Sequence, residues 1–174
     1  MYRQGLAQGP KRNCWWETVL QSDLFPISTL PPETETRLWG ELLMKGRRVL
    51  IADDLASVLS EIARLLDKTF EIVGMASDGQ TALDAILAID PDLAVLDISM
   101  PAMSGIEVAR ELRDRGSKTK VVFLTVHEDA DILATCFAAG AKAYVLKVLM
   151  DSDLVYAVEE VLAGREFTSQ FTRH

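Results

Sequence analysis

Five residues of the kinds that handle metal ions and phosphate stand at the ends of apolar runs. Val49–Ala52 ends in Asp53 and Asp54, Leu93–Leu96 in Asp97, Val121–Leu124 in Thr125, and Ala143–Leu146 in Lys147. Three carboxylates within a few ångström repel one another, and one or more would be pushed toward protonation. A hard divalent cation removes that conflict. Mg²⁺ suits such a site, because it takes oxygen ligands, keeps several waters and shares its shell with phosphate. A hydroxyl and an ammonium beside the metal supply what the other oxygens of a phosphoryl group need. Taken singly, each residue has a plainer role. Asp53 or Asp54 would cap the following helix, and Asp97 a turn. Thr125 would be an ordinary strand residue and Lys147 a solvated charge. The chemical reading therefore depends on a fold that brings the five together.

The runs have strand length and are continuous rather than alternating, as parallel strands covered on both faces require. Phe70–Met75 is a weaker fifth. Helical stripes lie between them: Val58, Leu59, Ile62, Leu65 and Leu66; Leu83, Ile86 and Leu87; Ile106, Ala109 and Leu112; Ile132, Leu133, Cys136 and Phe137; and Leu154, Val155, Val158, Val161 and Leu162. Ser104 with Glu107 forms a capping box at the third helix. Strands alternating with helices predict an α/β domain, a doubly wound five-stranded parallel sheet with helices on both faces. In the flavodoxin-like order 2-1-3-4-5, strands 1 and 3 are neighbours at the switch point, where ligands bind outside the carboxyl ends of the strands. Asp53, Asp54 and Asp97 would converge there, with Thr125 and Lys147 alongside.

The 174 residues carry 18 Lys and Arg against 26 Asp and Glu, a net charge of −8. That balance argues against non-specific binding to nucleic acid or to an anionic membrane. No apolar run approaches the roughly 20 residues that span a bilayer. Cys14 and Cys136 fit no metal spacing, and a reduced cytoplasm is the expected compartment. Residues 1–45 hold five basic and five acidic residues with Pro10, Pro26, Pro31 and Pro32, so the whole charge falls on residues 46–174. This piece is expected to be a poorly ordered arm, with a short helix over Thr36–Met44 and Trp15–Trp16 either docking or incidental. Met44 is an alternative start.

The chemistry-bearing motifs together carry a family resemblance. Asp53-Asp54, Asp97-Ile-Ser-Met-Pro-Ala-Met-Ser-Gly105, Thr125 and Ala143-Tyr-Val-Leu-Lys147 follow in order at the right strand ends. The stretch 49–166 resembles a bacterial two-component response-regulator receiver domain. The stretch Thr125-Val-His-Glu-Asp-Ala-Asp131 and the ending Ala163-Gly-Arg-Glu-Phe-Thr168 are most like the receivers of helix-turn-helix (LuxR-type output) regulators. The expected layout is an arm at 1–45, a receiver at 46–166 and a tail or linker stub at 167–174. The output domain would be absent and no nucleic acid bound by this chain.

The resemblance implies roles. Asp97 would be the phosphoacceptor, taking a phosphoryl group from a phosphohistidine on a sensor histidine kinase. Asp54, Asp97 and the backbone carbonyl of Ser99 would ligate Mg²⁺, with Asp53 acting directly or through water. Lys147 would neutralise phosphoryl charge and Thr125 would move to a phosphoryl oxygen. Tyr144 would turn inward into the space Thr125 vacates, reshaping the face made by helix 4, strand 5 and helix 5. Outside this constellation Tyr144 would be a half-buried aromatic at the sheet edge. Met100, Pro101 and Gly105 would shape the loop and let the next helix approach. Ser99 and His127 would face solvent or influence water access.

Val148 departs from the family, which often has Pro or Asp there. A cis bond before a non-proline costs about 2.5–4 kcal/mol, so none is expected. Asp151 and Ser152 would cap the last helix. A homodimer is left open, and no membrane partner is expected. The implied protein is a signalling domain that undergoes its own phosphorylation and dephosphorylation rather than an enzyme in the usual sense. Two other functions fit parts of the pattern. One is a phosphorylation-independent interaction module on the same fold. The other is a Mg²⁺-dependent phosphohydrolase with an aspartyl nucleophile, against which Ser99 stands where a second Asp would be needed.

Overall fold

A computed structural model describes residues 46–169. The arm, the Thr36–Met44 helix, Trp15–Trp16 and Met44 lie outside the described residues. Six strands are present: β1 (Arg48–Ala52), β2 (Glu71–Ala76), β3 (Leu93–Asp97), β4 (Lys120–Thr125), β5 (Ala143–Leu146) and β6 (Phe167–Thr168). Between them run α1 (Ala56–Leu66), α2 (Gly79–Ile89), α3 (Gly105–Asp114), α4 (Ala130–Ala138) and α5 (Met150–Leu162). The sheet is parallel, in the order β2-β1-β3-β4-β5-β6.

The central strands are buried on both faces because the layers sort by residue parity. Leu50, Ala52, Ala94, Leu96, Val121, Phe123, Tyr144 and Leu146 share one cluster with Leu83 and Ile86 of α2, Val108 and Leu112 of α3, and Cys136 of α4. The alternate residues Val49, Ile51, Val95, Val122 and Leu124 are equally buried and face the opposite side, where α1 packs on β1 and β2 and α5 packs on β4 and β5. The doubly wound sheet with helices on both faces and the order 2-1-3-4-5 are present.

The sixth strand is a difference. Phe167 and Thr168 pair with Ala143 and Tyr144, so the tail expected at 167–174 begins as a sheet edge. Two residues are too short to show a strand period, and the pairing is made by β5 rather than by local propensity. The helix starts also differ in part. Ser104 and Glu107 form the capping box as expected. Neither Asp53 nor Asp54 is the cap residue of α1, which starts after Leu55 with no side-chain cap. Asp151 and Ser152 do not cap α5 either. That helix follows a single 3-10 turn, Lys147–Leu149, and the Ser152 hydroxyl donates back to the Leu149 carbonyl at 3.0 Å. No cis peptide occurs among the described residues.

Candidate functional site

Strand register places the five residues side by side. Ala52 pairs with Leu96, Asp97 with Leu124, and Thr125 with Leu146, so the residues ending β1, β3, β4 and β5 surround one point at the carboxyl edge of the sheet. Asp53 is fully buried, Asp97 is 5% exposed, Thr125 is buried and Asp54 is exposed. Oxygens of Asp53, Asp54 and Asp97 lie within 4.8 Å of one another. The Lys147 ammonium sits between two of them, 2.6 Å from Asp53 Oδ2 and 3.3 Å from Asp97 Oδ2.

The electrostatics of this cluster are unresolved by protein groups alone. Burial raises the Asp97 carboxyl above its ordinary range. Lys147 pulls it back and Asp53 pushes it up again, and the net direction is upward. Asp53 Oδ1 accepts the Leu55 N–H at 3.0 Å. Its Oδ2 makes the ion pair but no hydrogen bond of proper direction, which is unusual for a buried carboxylate oxygen. A buried carboxylate oxygen whose one partner is an ammonium, beside two more carboxylates, belongs to a donor set that a hard cation fits.

The loops around Asp97 are fixed by contacts far apart in sequence. Gly105 packs on β3 itself, since a Cβ there would lie 2.1 Å from the Asp97 carbonyl oxygen. The expected close approach of the third helix therefore has a specific partner. Gly79 does the same from α2, where a Cβ would lie 1.8 Å from the Met103 carbonyl oxygen. Its N–H also donates to the Pro101 carbonyl at 3.2 Å. Sequence reasoning missed Gly79. Asp78 before it, capping α2 through the Thr81 N–H, was the available signal.

His127 is a half-exposed loop residue that also touches three parts of the site. Its N–H donates to Thr125 Oγ1 at 3.1 Å, and its carbonyl accepts the Tyr144 hydroxyl at 2.8 Å. Its Nε2 lies 3.2 Å from Ser99 Oγ, although Ser99 is exposed as expected. Tyr144 is neither half-buried nor at an edge. Its ring is fully buried and already inward, within the core cluster on one face of the sheet, and β6 lies beyond β5. Burial pushes its hydroxyl up to about 12.

A buried strand-end carboxylate flanked by an acidic pair, a lysine and a strand-end threonine on a 2-1-3-4-5 sheet has counterparts among known proteins. Residues 49–159 match the family described as response regulator receiver domain. The chain belongs to the response-regulator receiver family. Among curated relatives, the transcriptional regulatory protein PdtaR of Mycobacterium tuberculosis is 38% identical over 125 residues, covering 71% of this chain and 60% of PdtaR. The receiver domain of the putative response regulator NarL from Mycobacterium tuberculosis superposes with a TM-score of 0.67 at 32% identity, covering 70% of this chain and 99% of that one. A LuxR-family two-component response regulator from Aurantimonas gives a TM-score of 0.67 at 30% identity, covering 70% and 89%. The likeness is thus to receivers of the LuxR/NarL type. The chain spans 57–64% of the length of several curated relatives. Receiver domains are signalling domains that interact with sensor kinases, and they typically bind Mg²⁺ through acidic residues such as those clustered here. Among the described residues, no helix is long and apolar enough to cross a membrane.

Proposed function

We propose that the protein is a phosphoacceptor in a two-component relay, with Asp97 as the residue that receives the phosphoryl group. The observation that carries this is the carboxylate cluster with the Lys147 ammonium in its midst and Thr125 at the adjoining strand end. Asp53, Asp54, Asp97 and the Ser99 carbonyl would hold Mg²⁺, which when bound neutralises carboxylate and phosphoryl charge. Asp97 attacks the phosphorus of a sensor kinase phosphohistidine. The oxygen–phosphorus bond forms at the carboxylate, the phosphorus–nitrogen bond breaks, and its electron pair stays on the imidazole. Lys147 is within reach of the acceptor oxygen and pairs with the charge that arrives.

Thr125 Oγ1 accepts the His127 N–H, and its own proton would turn to a phosphoryl oxygen. Recruiting that hydroxyl pulls on the Thr125–His127–Tyr144 hydrogen bonds and so on the α4–β5–α5 face. Because the Tyr144 ring starts inward, the switch works by tightening or releasing this chain of bonds. Hydrolysis of the acyl phosphate on the domain itself resets it. Ser99 has no carboxyl and cannot serve as the acid–base group of an aspartyl phosphohydrolase.

Beryllium fluoride, a mimic of the acyl phosphate, tests the reading by amide NMR. Added with Mg²⁺, it should perturb Asp97, Thr125, Tyr144 and Lys147 in the wild type and none of them in Asp97→Asn. Equal perturbation in both proteins would contradict Asp97 as acceptor. No perturbation of the folded wild type would favour the phosphorylation-independent module.

A further inference from the structure

The Lys147 turn is short, and its local restraints act at its far end, where Leu149 packs on the core and its carbonyl accepts the Ser152 hydroxyl. Lys147–Leu149 is one 3-10 turn between β5 and α5, Val148 on it is 80% exposed, and α5 starts with no side-chain cap. Yet the Lys147 ammonium must be aimed at two carboxylates. At the Lys147 end of the turn, a further restraint comes from beyond the last helix. Ser169, just past β6, is 1% exposed. Its hydroxyl accepts the N–H of Leu146, the residue immediately before Lys147, at 3.3 Å. The same hydroxyl donates to Asp153 Oδ2 in the first turn of α5 at 2.7 Å, and the Ser169 N–H donates to the Tyr144 carbonyl at 2.9 Å.

One buried side chain therefore joins the residue before the turn to the helix after it, with a charge-assisted bond on one side. The chain leading to Ser169 is independently anchored. Arg165 forms a two-pronged bridge to Glu160 with both contacts at 2.6 Å. Phe167 N–H donates to the Lys142 carbonyl at 3.1 Å, and its ring stands edge-on to Tyr156 at 5.6 Å.

We propose that Ser169 is a positioning residue of the phosphoacceptor site, stapling Leu146 to Asp153 so that the intervening turn delivers Lys147 to Asp97. The proposal rests on the phosphoacceptor role above. It extends the working domain past the matched residues 49–159 and past the boundary expected at 166.

The test uses the full chain with Ser169→Ala, Ser169→Thr and Asp153→Ala. The side-chain NMR signal of Lys147, assigned by its loss in Lys147→Arg, should move toward that of a solvated lysine in Ser169→Ala. Amide exchange at Leu146 should rise with it, and Ser169→Thr should restore both. Phosphoryl uptake from acetyl phosphate with Mg²⁺ should fall about tenfold in Ser169→Ala, the scale of a small misplacement of a reacting group. Adding Ser169→Ala to Lys147→Ala should not slow the remaining uptake further.

An unchanged Lys147 signal in folded Ser169→Ala would overturn the proposal, as would an equal slowing in the Lys147→Ala background. If Ser169→Ala does not fold, Asp153→Ala removes one end of the staple and is judged by the same signal and the same cycle. A wild type that takes up no phosphoryl group overturns the phosphoacceptor role, while the Lys147 signal still decides whether the staple exists.

Discussion

Burial lifts the Asp97 carboxyl above its ordinary range even with Lys147 3.3 Å away, so its ionised form weakens the metal-free fold. The sign follows from linkage. A carboxyl raised on folding carries a penalty that grows as pH rises from the unfolded value of about 3.9, and the penalty is absent below it. Without Mg²⁺, Asp97→Asn should therefore melt at a higher temperature than the wild type at pH 7, and the gap should close as the pH is lowered toward 4. A wild type that stays the more stable at pH 7 would show that Lys147 outweighs burial. Ala102 sits in the same loop with a φ of 63°, a left-handed conformation that a Cβ resists. Ala102→Gly relieves that strain at some entropic cost, for a net gain of about 0.5–1 kcal/mol in denaturant unfolding.

Strand ends carry the chemistry and helix starts hold it in place. The Ser104 capping box fixes the first turn of α3, and the next residue, Gly105, lies against the Asp97 carbonyl. Ser104→Ala should cost about 1 kcal/mol of stability, read by chemical denaturation. Gly105→Ala should cost about 3 kcal/mol, because the clash is with backbone that cannot rotate away. Equal small losses in both variants would mean that α3 slides freely on β3. These elements differ in how legible they were. Each candidate residue at the ends of β1, β3, β4 and β5 directly follows a continuous apolar run, so the strands and the candidate residues could be read along the chain, and the flavodoxin-like order then brought them together. Ser104 with Glu107 was equally local. Gly79 was not, since its reason lies in Met103, 24 residues on. β6 was not, since its two residues are strand only through β5. The full burial of Tyr144 depends on a core cluster drawn from residues far apart in sequence. The contacts of His127 join two loops and a neighbouring strand, and no sequence period reports them.

The whole molecule holds its charge unevenly. Among the described residues most ion pairs, such as Arg115–Glu111 and Lys142–Glu166, are exposed and add little. The consequential charges are the three acids and one lysine at the carboxyl edge of the sheet. A cation bound only by the folded protein stabilises it through mass action. Mg²⁺ at 100 times its dissociation constant should add about 2.7 kcal/mol. The gain should appear as a rise in melting temperature that Asp54→Asn reduces and that added chelator reverses. A melting temperature indifferent to Mg²⁺ would remove the metal from the site. The central claim concerns a covalent event at a single oxygen, and intact mass reads it most directly. The wild type and Asp97→Asn are incubated with Mg²⁺ and acetyl phosphate, then treated with hydroxylamine. A gain of one phosphoryl mass in the wild type alone, lost to hydroxylamine, is the expected result. An equal gain in Asp97→Asn, or none in a wild type shown to be folded, would contradict the assignment of Asp97 as the phosphoacceptor.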